Sequence, residues 1–420
     1  MTPSLPADAT LRCRHLVTMT GRPLDGGWLW MRRGRIVAMG AGAPPRGGRA
    51  TVDLGDAIVM PGLVNAHTHL EFSAEQTPLD ASGGLPGWLG RVVAIRRGRG
   101  ADAAGEARVV AAIAAGMAES AAHGVTALGE IATSAPAGAH AAAGPRVRVF
   151  REALGLGAAA AQAALRDSLR DEEALARRGL ATGFSPHAPY SVAASLGTAI
   201  IAAARRRRLP VAMHLAESDA EAELAASGSG PFRDLLESLG AWNAALPPVI
   251  LPAAEWITRL ARAPRGIVVH GTHLARDGEA LTRLGRHRDR LCVAVCPRTT
   301  LAISGTPPPV RLFHDAGVRV AIGTDSRASS PDLSVLAECR TLVNAGLAVP
   351  EAAVRMATVD GAWALGFERT AGVLAAGRPA DLVILRTATT PRDPFEAILD
   401  PATSIAATVR AGRVIAGTLE

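Results

Sequence analysis

The chain has 420 residues, too many for one small domain, and 48% of them are hydrophobic, enough for a large buried core. Only 3% are aromatic, so Ala, Val, Leu and Ile must fill that core. The net charge of +7 rests on Arg alone, since the chain has no Lys, and the densest basic run (RRRR, 205–208) lacks interleaved aromatics, which argues against a nucleic-acid partner.

Residues 10–60 carry short alternating apolar runs punctuated by Gly (LVTMTG, GGWLWMRRGRIVAMG, TVDLGDAIVMPG), the pattern of antiparallel strands and hairpins. The same style returns at 380–387 (ADLVILRT) and 407–420 (ATVRAGRVIAGTLE). The two ends are therefore expected to pair into one small sheet domain, a β-sandwich built from residues 1–60 and 370–420. The stretch between, 61–369, alternates differently. Short apolar strands are expected before His67 and at 124–131, 146–154, 180–185, 210–215, 266–270, 291–296 and 318–324, separated mostly by Ala/Arg/Glu/Leu-rich segments of helical composition. Buried apolar strands with helical crossovers imply a parallel sheet, and eight of them predict a closed (β/α)8 barrel of the TIM type. SGSGP (227–231) and TPPP (306–309) mark loops.

Cys13, Cys292, Cys296 and Cys339 are scattered, with no second pair beside Cys292 and Cys296 to complete a zinc cluster. They read as buried, reduced thiols, which suits the cytoplasm. The opening MTPSLPADAT lacks a charged-then-apolar signal pattern, and no apolar stretch reaches the roughly 18 residues of a membrane span. The expectation is a soluble intracellular protein with no membrane partner.

Active sites of such barrels lie at the C-terminal ends of the strands, and polar residues recur there. His67 and His69 end the first strand; two apart in an extended chain, they point to one side as a chelating pair. His187 follows the fourth strand, His214 ends the fifth, His270 the sixth and Asp325 the eighth. Such nitrogen and oxygen donors take a divalent metal. Glu217, three residues after His214, can exchange a proton with a water held there; the alternative is an ordinary carboxylate in a first helical turn, the reading kept for Glu221 and Glu223.

PGLVNAHTHLE, SPHAPYS, HLAES, HGTHL and GTDS resemble the amidohydrolase superfamily, most of all its branch of aromatic-amine deaminases and chlorohydrolases, and GGWLWMRRGRIVAMG and PADLVIL resemble that family's flanking β-sandwich. The resemblance implies that His67, His69, His214 and Asp325 ligate one Zn2+ or Fe2+. It makes Glu217 the proton shuttle. It gives His270 the part of polarising the attacked centre or holding the water, and Asp325 that of accepting the water's proton. It puts His187 on the substrate and Trp88 in a loop over the pocket. His273 gains no role. Related binuclear enzymes bridge two metals with a modified Lys at the fourth strand, where this chain has Ser185 and His187, so one metal is expected; Glu130 reads as a hydrogen-bonded carboxylate rather than a second site.

The implied reaction is hydrolytic loss of ammonia from an sp2 carbon bearing an exocyclic amine, on a small-molecule substrate. HTHLEFS, with Glu71 and Ser73 after the ligands, looks like deaminases of 6-aminodeoxyfutalosine, an intermediate of menaquinone biosynthesis. SPHAPYS is shared with relatives acting on adenosine, S-adenosylhomocysteine or methylthioadenosine. Glu71 and Arg151 are candidate substrate contacts, to a ribose hydroxyl or carboxylate network and to a carboxylate respectively, with structural ion pairs as the alternative for each. Arg327, within SRASS where many nucleoside deaminases have a Gly-Ala-Ser-type run, puts the leaving-group end of the pocket in question. The competing readings are a triazine chlorohydrolase, an imidazolone or cyclic-amide hydrolase, and a non-catalytic descendant of the barrel. A homo-oligomer is compatible with the resemblance, and no residue argues for it.

Overall fold

Leu63–Thr68 (LVNAHT) is buried along its whole length, as a strand covered on both faces must be. In the computed structural model, which describes residues 5–45, 50–136, 138–140, 143–245, 247–387 and 393–419, it is the first of eight parallel barrel strands. These are β1 (Leu63–Thr68), β2 (Val125–Ala132), β3 (Arg146–Ala153), β4 (Ala181–Pro186), β5 (Val211–Leu215), β6 (Gly266–His270), β7 (Leu291–Val295) and β8 (Arg319–Ile322). Each pairs with the next in sequence, and a parallel bridge between Thr68 and Asp325 closes β8 onto β1. The seven apolar segments expected after His67 all lie on these strands, with ends shifted by one or two residues.

Helices cover the barrel's outside. The helix Ala103–Ala122 starts where Asp102 accepts the Gly105 N–H at 2.8 Å, and Ala158–Arg177 lies over β3 and β4. Gly84–Gly98 follows β1 and roofs the barrel mouth, while three helices (Asp219–Ser227, Pro231–Ser238, Ala253–Leu260) fill the long connection from β5 to β6. The barrel interior is packed with small side chains, among them Ala66, Ala127, Ala212, Ala294 and Ala321, around Phe150. With so few aromatic residues, Ala and Val do the filling.

The chain ends form two sheets, the two layers expected of a sandwich. A four-stranded sheet (Arg35–Ala41, Gly27–Arg32, Asp8–Arg12, Ala50–Asp53) comes wholly from the N-terminal part. A six-stranded sheet interleaves both ends, with Leu382–Arg386 antiparallel to Ala57–Pro61. Leu11, Leu29, Met31, Val59, Leu382 and Val409 form the apolar layer between them. Residues 1–4 and 420 of the terminal segments lie outside the described residues, and among the described residues no helix is long and apolar enough to cross a membrane.

Gly323, just after β8, shows how tightly the seam is built. A Cβ there would lie 2.8 Å from both the Cβ and the carbonyl oxygen of His67. Gly323→Ala is expected to lower stability by about 1–3 kcal/mol through overpacking and to weaken metal retention by displacing His67; denaturant unfolding and metal analysis of the purified variant measure both.

Candidate metal centre and active site

The ends of three barrel strands deliver candidate metal-ligating side chains to one point. His67 and His69 leave β1 on the same side, and His214 leaves β5 opposite them. One ligand atom from each of these three imidazoles lies within 4.8 Å of the others, and Nε2 of His69 is 3.3 Å from Nε2 of His214. Asp325 Oδ1 sits 3.7 Å from Nε2 of both His67 and His69, while Ser329 Oγ donates to Asp325 Oδ2 at 2.9 Å. One carboxylate oxygen is thus fixed and the other faces the imidazoles.

The donor set fits a divalent ion. His67 is buried, and among the described residues neither ring nitrogen has a hydrogen-bond partner; Nδ1 of His69 is likewise alone. His214 Nδ1 donates to the His187 carbonyl at 3.1 Å, which leaves the lone pair on Nε2, facing the centre. Burial, with the neighbouring imidazoles, holds His69 and His214 well below the usual histidine value, so both are neutral, as ligands must be. Burial alone would raise Asp325, but the histidines around it outweigh that and keep it ionised.

Beside the centre, Glu217 Oε1 lies 3.3 Å from His270 Nε2. Burial, with the charges of Asp325 and Glu221, raises Glu217 well above the ordinary carboxylate value and so favours its protonated form, while burial brings His270 down to about 4. Ala216, His270 and Asp325 all adopt left-handed backbones, with φ of 52°, 66° and 57°. Such conformations at residues with a Cβ gather at functional sites.

The cavity over this cluster is lined by His69, His187, His214, Glu217, His270, Asp325 and Ser326 at its polar base, with Phe72, Leu85, Trp88, Tyr190 and Arg96 around them. Trp88 Nε1 donates to the Ala328 carbonyl at 3.1 Å, which fixes the indole over the opening. His187 Nδ1 pairs with Ser191 Oγ at 2.6 Å. The structure therefore brings together His67, His69, His187, His214, Glu217, His270, Asp325 and Trp88.

It does not bring Glu71 or Arg151 to the cavity wall. Glu71 turns away, held by Arg96 (2.8 Å), Arg99 (2.5 Å) and Thr133 (2.8 Å). Arg151 faces outward from β3 to Asp171 (2.9 Å). Both are the structural ion pairs that stood as the alternative. Arg327 also leaves the pocket, bonding to the Glu75 and Gln76 carbonyls and Glu119, so Ser326 and not Arg327 borders the cavity there. Glu130 accepts the Leu70 N–H (2.9 Å), and His273 pairs with Asp219 (2.8 Å).

Four contributors escaped the sequence reading. Arg96, on the helix Gly84–Gly98, lines the wall and lies over Phe72, and no sequence signal distinguishes it from its neighbours. Tyr190 stacks on Phe232 with ring centroids 4.0 Å apart. Ser329 fixes Asp325. Glu152, near the end of β3, is buried with neither oxygen hydrogen-bonded among the described residues, 3.6 Å from Arg96 and 4.0 Å from His187 Nε2. The strand-end rule that found the histidines could have found it.

A parallel barrel with clustered buried imidazoles, a buried Asp and a buried Glu converging at its C-terminal mouth defines a hydrolase of the metal-dependent kind. The chain belongs to the amidohydrolase family, whose profile matches residues 58–415. The 5-methylthioadenosine/S-adenosylhomocysteine deaminase of Halobacterium salinarum is 31% identical over 380 residues, covering 84% of this chain and 78% of that protein. Among solved structures, the aminofutalosine deaminase of Helicobacter pylori in complex with methylthio-coformycin shares the fold with a TM-score of 0.81 at 22% identity, covering 97% of this chain and 99% of that one. An adenosine deaminase of Xanthomonas campestris with bound zinc gives 0.76 at 23% identity, covering 100% and 95%.

Two outcomes are expected of this cluster. His69→Ala should lower the metal content of the purified protein below that of wild type, and chelation should remove activity that added Zn2+ restores. In metal-free protein, burial raises Glu152 to about 7, with Arg96 opposing. Between pH 4.5 and 7 the folded state keeps a proton that the unfolded state releases, so this contribution is fully present at low pH and is lost as pH rises. Its ceiling is about 3 kcal/mol. Unfolding of chelated protein across that range should show the stability of wild type relative to Glu152→Gln falling as pH rises.

Proposed function

We propose that the chain is a hydrolytic deaminase of a 6-aminopurine nucleoside-like substrate, with 6-aminodeoxyfutalosine the leading candidate, working with one Zn2+ or Fe2+ held by His67, His69, His214 and Asp325. The observation that carries this reading is the placement of the buried Glu217 carboxyl 3.3 Å from His270, both opening on the cavity beside that donor set. The bound ion supplies a water acidic enough to lose a proton near neutral pH and an electrophilic pull on the attacked centre.

The side chains do the rest. Asp325 takes the water's proton. Glu217 gives its own proton to the ring nitrogen next to the attacked carbon as the carbon–oxygen bond forms. Asp325 then passes the proton it took to the exocyclic amine, the carbon–amine bond breaks to release ammonia, and the hydroxyl proton returns to Glu217 as the new carbonyl forms. His270, neutral, orients the attacking oxygen. His187, tied to Ser191, presents Nε2 to the ring, and Trp88 with Phe72 and Leu85 supplies an apolar cover against bulk water. The cation proposed for a substrate carboxylate is Arg96 rather than Arg151.

A second reading shares the chemistry and differs in the substituent: 5-methylthioadenosine or S-adenosylhomocysteine, favoured by the names of the curated relatives. The buried, unbridged cysteines fit a reducing compartment, and a cytoplasmic location belongs to the same proposal.

Ammonia release is measured across 6-aminodeoxyfutalosine, methylthioadenosine, S-adenosylhomocysteine, adenosine and a chlorotriazine. The leading reading expects the first to give the highest kcat/KM, and Arg96→Leu to erase its advantage over methylthioadenosine. No ammonia from any aminopurine sinks the deaminase reading. Glu217→Gln should keep its metal and lose roughly 10²–10⁴-fold in kcat; near-full turnover would remove Glu217 from its role.

A further inference from the structure

β5 stops at Leu215, and Ala216 turns left-handed before Glu217. For a residue with a Cβ that conformation costs about 1–2 kcal/mol, so the surroundings must hold it. Glu221 does so. Its side chain is buried, Oε1 accepts the Ala216 N–H at 2.8 Å, and Oε2 accepts the Glu217 N–H at 3.2 Å.

The sequence supplies this contact through Ser218–Asp219–Ala220–Glu221, the S-x-x-E of an N-terminal capping box. Ser218 Oγ accepts the Glu221 N–H at 3.3 Å, as such a box requires. The Glu of an ordinary box returns to the N–H of the capping residue itself. Here it passes that residue and takes the two N–H groups before it, those of the turn that carries Glu217. A cavity of about 370 Å³ behind the turn is bordered by Ala216, Glu221, Leu251, Pro252, His273 and Asp277. The His273 N–H, donating to the Ala216 carbonyl at 2.8 Å, adds a backbone tie.

We propose that Glu221 is a positioning residue: by accepting both N–H groups across the left-handed turn it holds Glu217 against His270, and without it proton transfer fails while the site still binds metal and substrate. The inference rests on the reading of Glu217 as the proton carrier. It differs from a mere first-turn carboxylate, which would act by its charge on the helix beginning at Asp219 and would not depend on the backbone of Ala216.

The experiment compares Glu221→Gln, Glu221→Asp, the double variant Ala216→Gly with Glu221→Gln, and Glu217→Gln, each with metal content, thermal midpoint, kcat and KM. Glu221→Gln keeps one acceptor, and Glu221→Asp keeps the charge but loses one methylene of reach. Both are expected to retain metal and KM and to lose kcat, by about 10²-fold for a displacement near 1 Å. Gly takes left-handed φ without the Cβ penalty, so Ala216→Gly should restore much of the kcat lost in Glu221→Gln. Wild-type kcat in Glu221→Asp overturns the proposal, as does loss of metal and thermal stability in both Glu221 variants with no recovery from Ala216→Gly. An active Glu217→Gln would instead defeat the underlying reading of Glu217. An inactive Glu217→Gln beside fully active Glu221 variants defeats the positioning role alone.

Discussion

The seam between β1 and β8 is the constraint on which the site depends. A barrel closes only when its first and last strands find one register, and here Asn65, fully buried, fixes it. Its Nδ2 donates to Thr324 Oγ1 at 2.8 Å, while Oδ1 accepts the N–H groups of Thr324 (3.1 Å) and His67 (3.3 Å). Thr68 Oγ1 then donates to the Asp325 carbonyl at 2.7 Å. These contacts place two ligands from one end of the barrel beside a third from the other, across more than 250 residues of chain. A slip of one residue would turn His67 and His69 to the outside.

Closure also explains the electrostatics. Bringing five histidines and several carboxylates into one dry mouth disfavours charge on all of them, and the outcome differs by type. His69 and His214 are pushed towards neutrality and Glu217 towards its protonated form, while Asp325 is held ionised because histidines crowd it and Ser329 holds its far oxygen. An acid and a base of nearly equal intrinsic strength are thereby pushed apart, as paired acid–base chemistry needs. A cation held at the centre would offset the repulsion among the remaining lone pairs.

Glu217→Gln and the Glu221 variants probe features that were unequally visible in the sequence. The barrel was legible because buried strands and amphipathic helices have different periods, and the histidines were legible because they ended apolar runs. Parity defeated the reading of β3. Arg151 and Glu152 are neighbours, so one must face the helices and the other the interior, and charge alone does not say which. Glu71 and Arg327 stand next to metal ligands in sequence, but they lie in loops where no period fixes direction. Glu221 matched a helix-start pattern so well that its longer reach, to the backbone before the helix, was hidden.

Strain at the mouth is held by a different device at each strand end. At Asp325 the seam itself fixes the backbone, through the His69 N–H donating to its carbonyl and its own N–H to that of His67. At His270 the next residue, Gly271, is also left-handed, and its N–H donates to both Leu215 and Val269 carbonyls at 3.0 Å. At Ala216 the holder is a side chain. Main-chain devices survive almost any substitution short of one that breaks the fold, whereas a side chain can be exchanged by itself. Of these three strained ends, the one that precedes Glu217 is therefore the one whose geometry a single side-chain exchange can adjust apart from the seam that places His67 and Asp325.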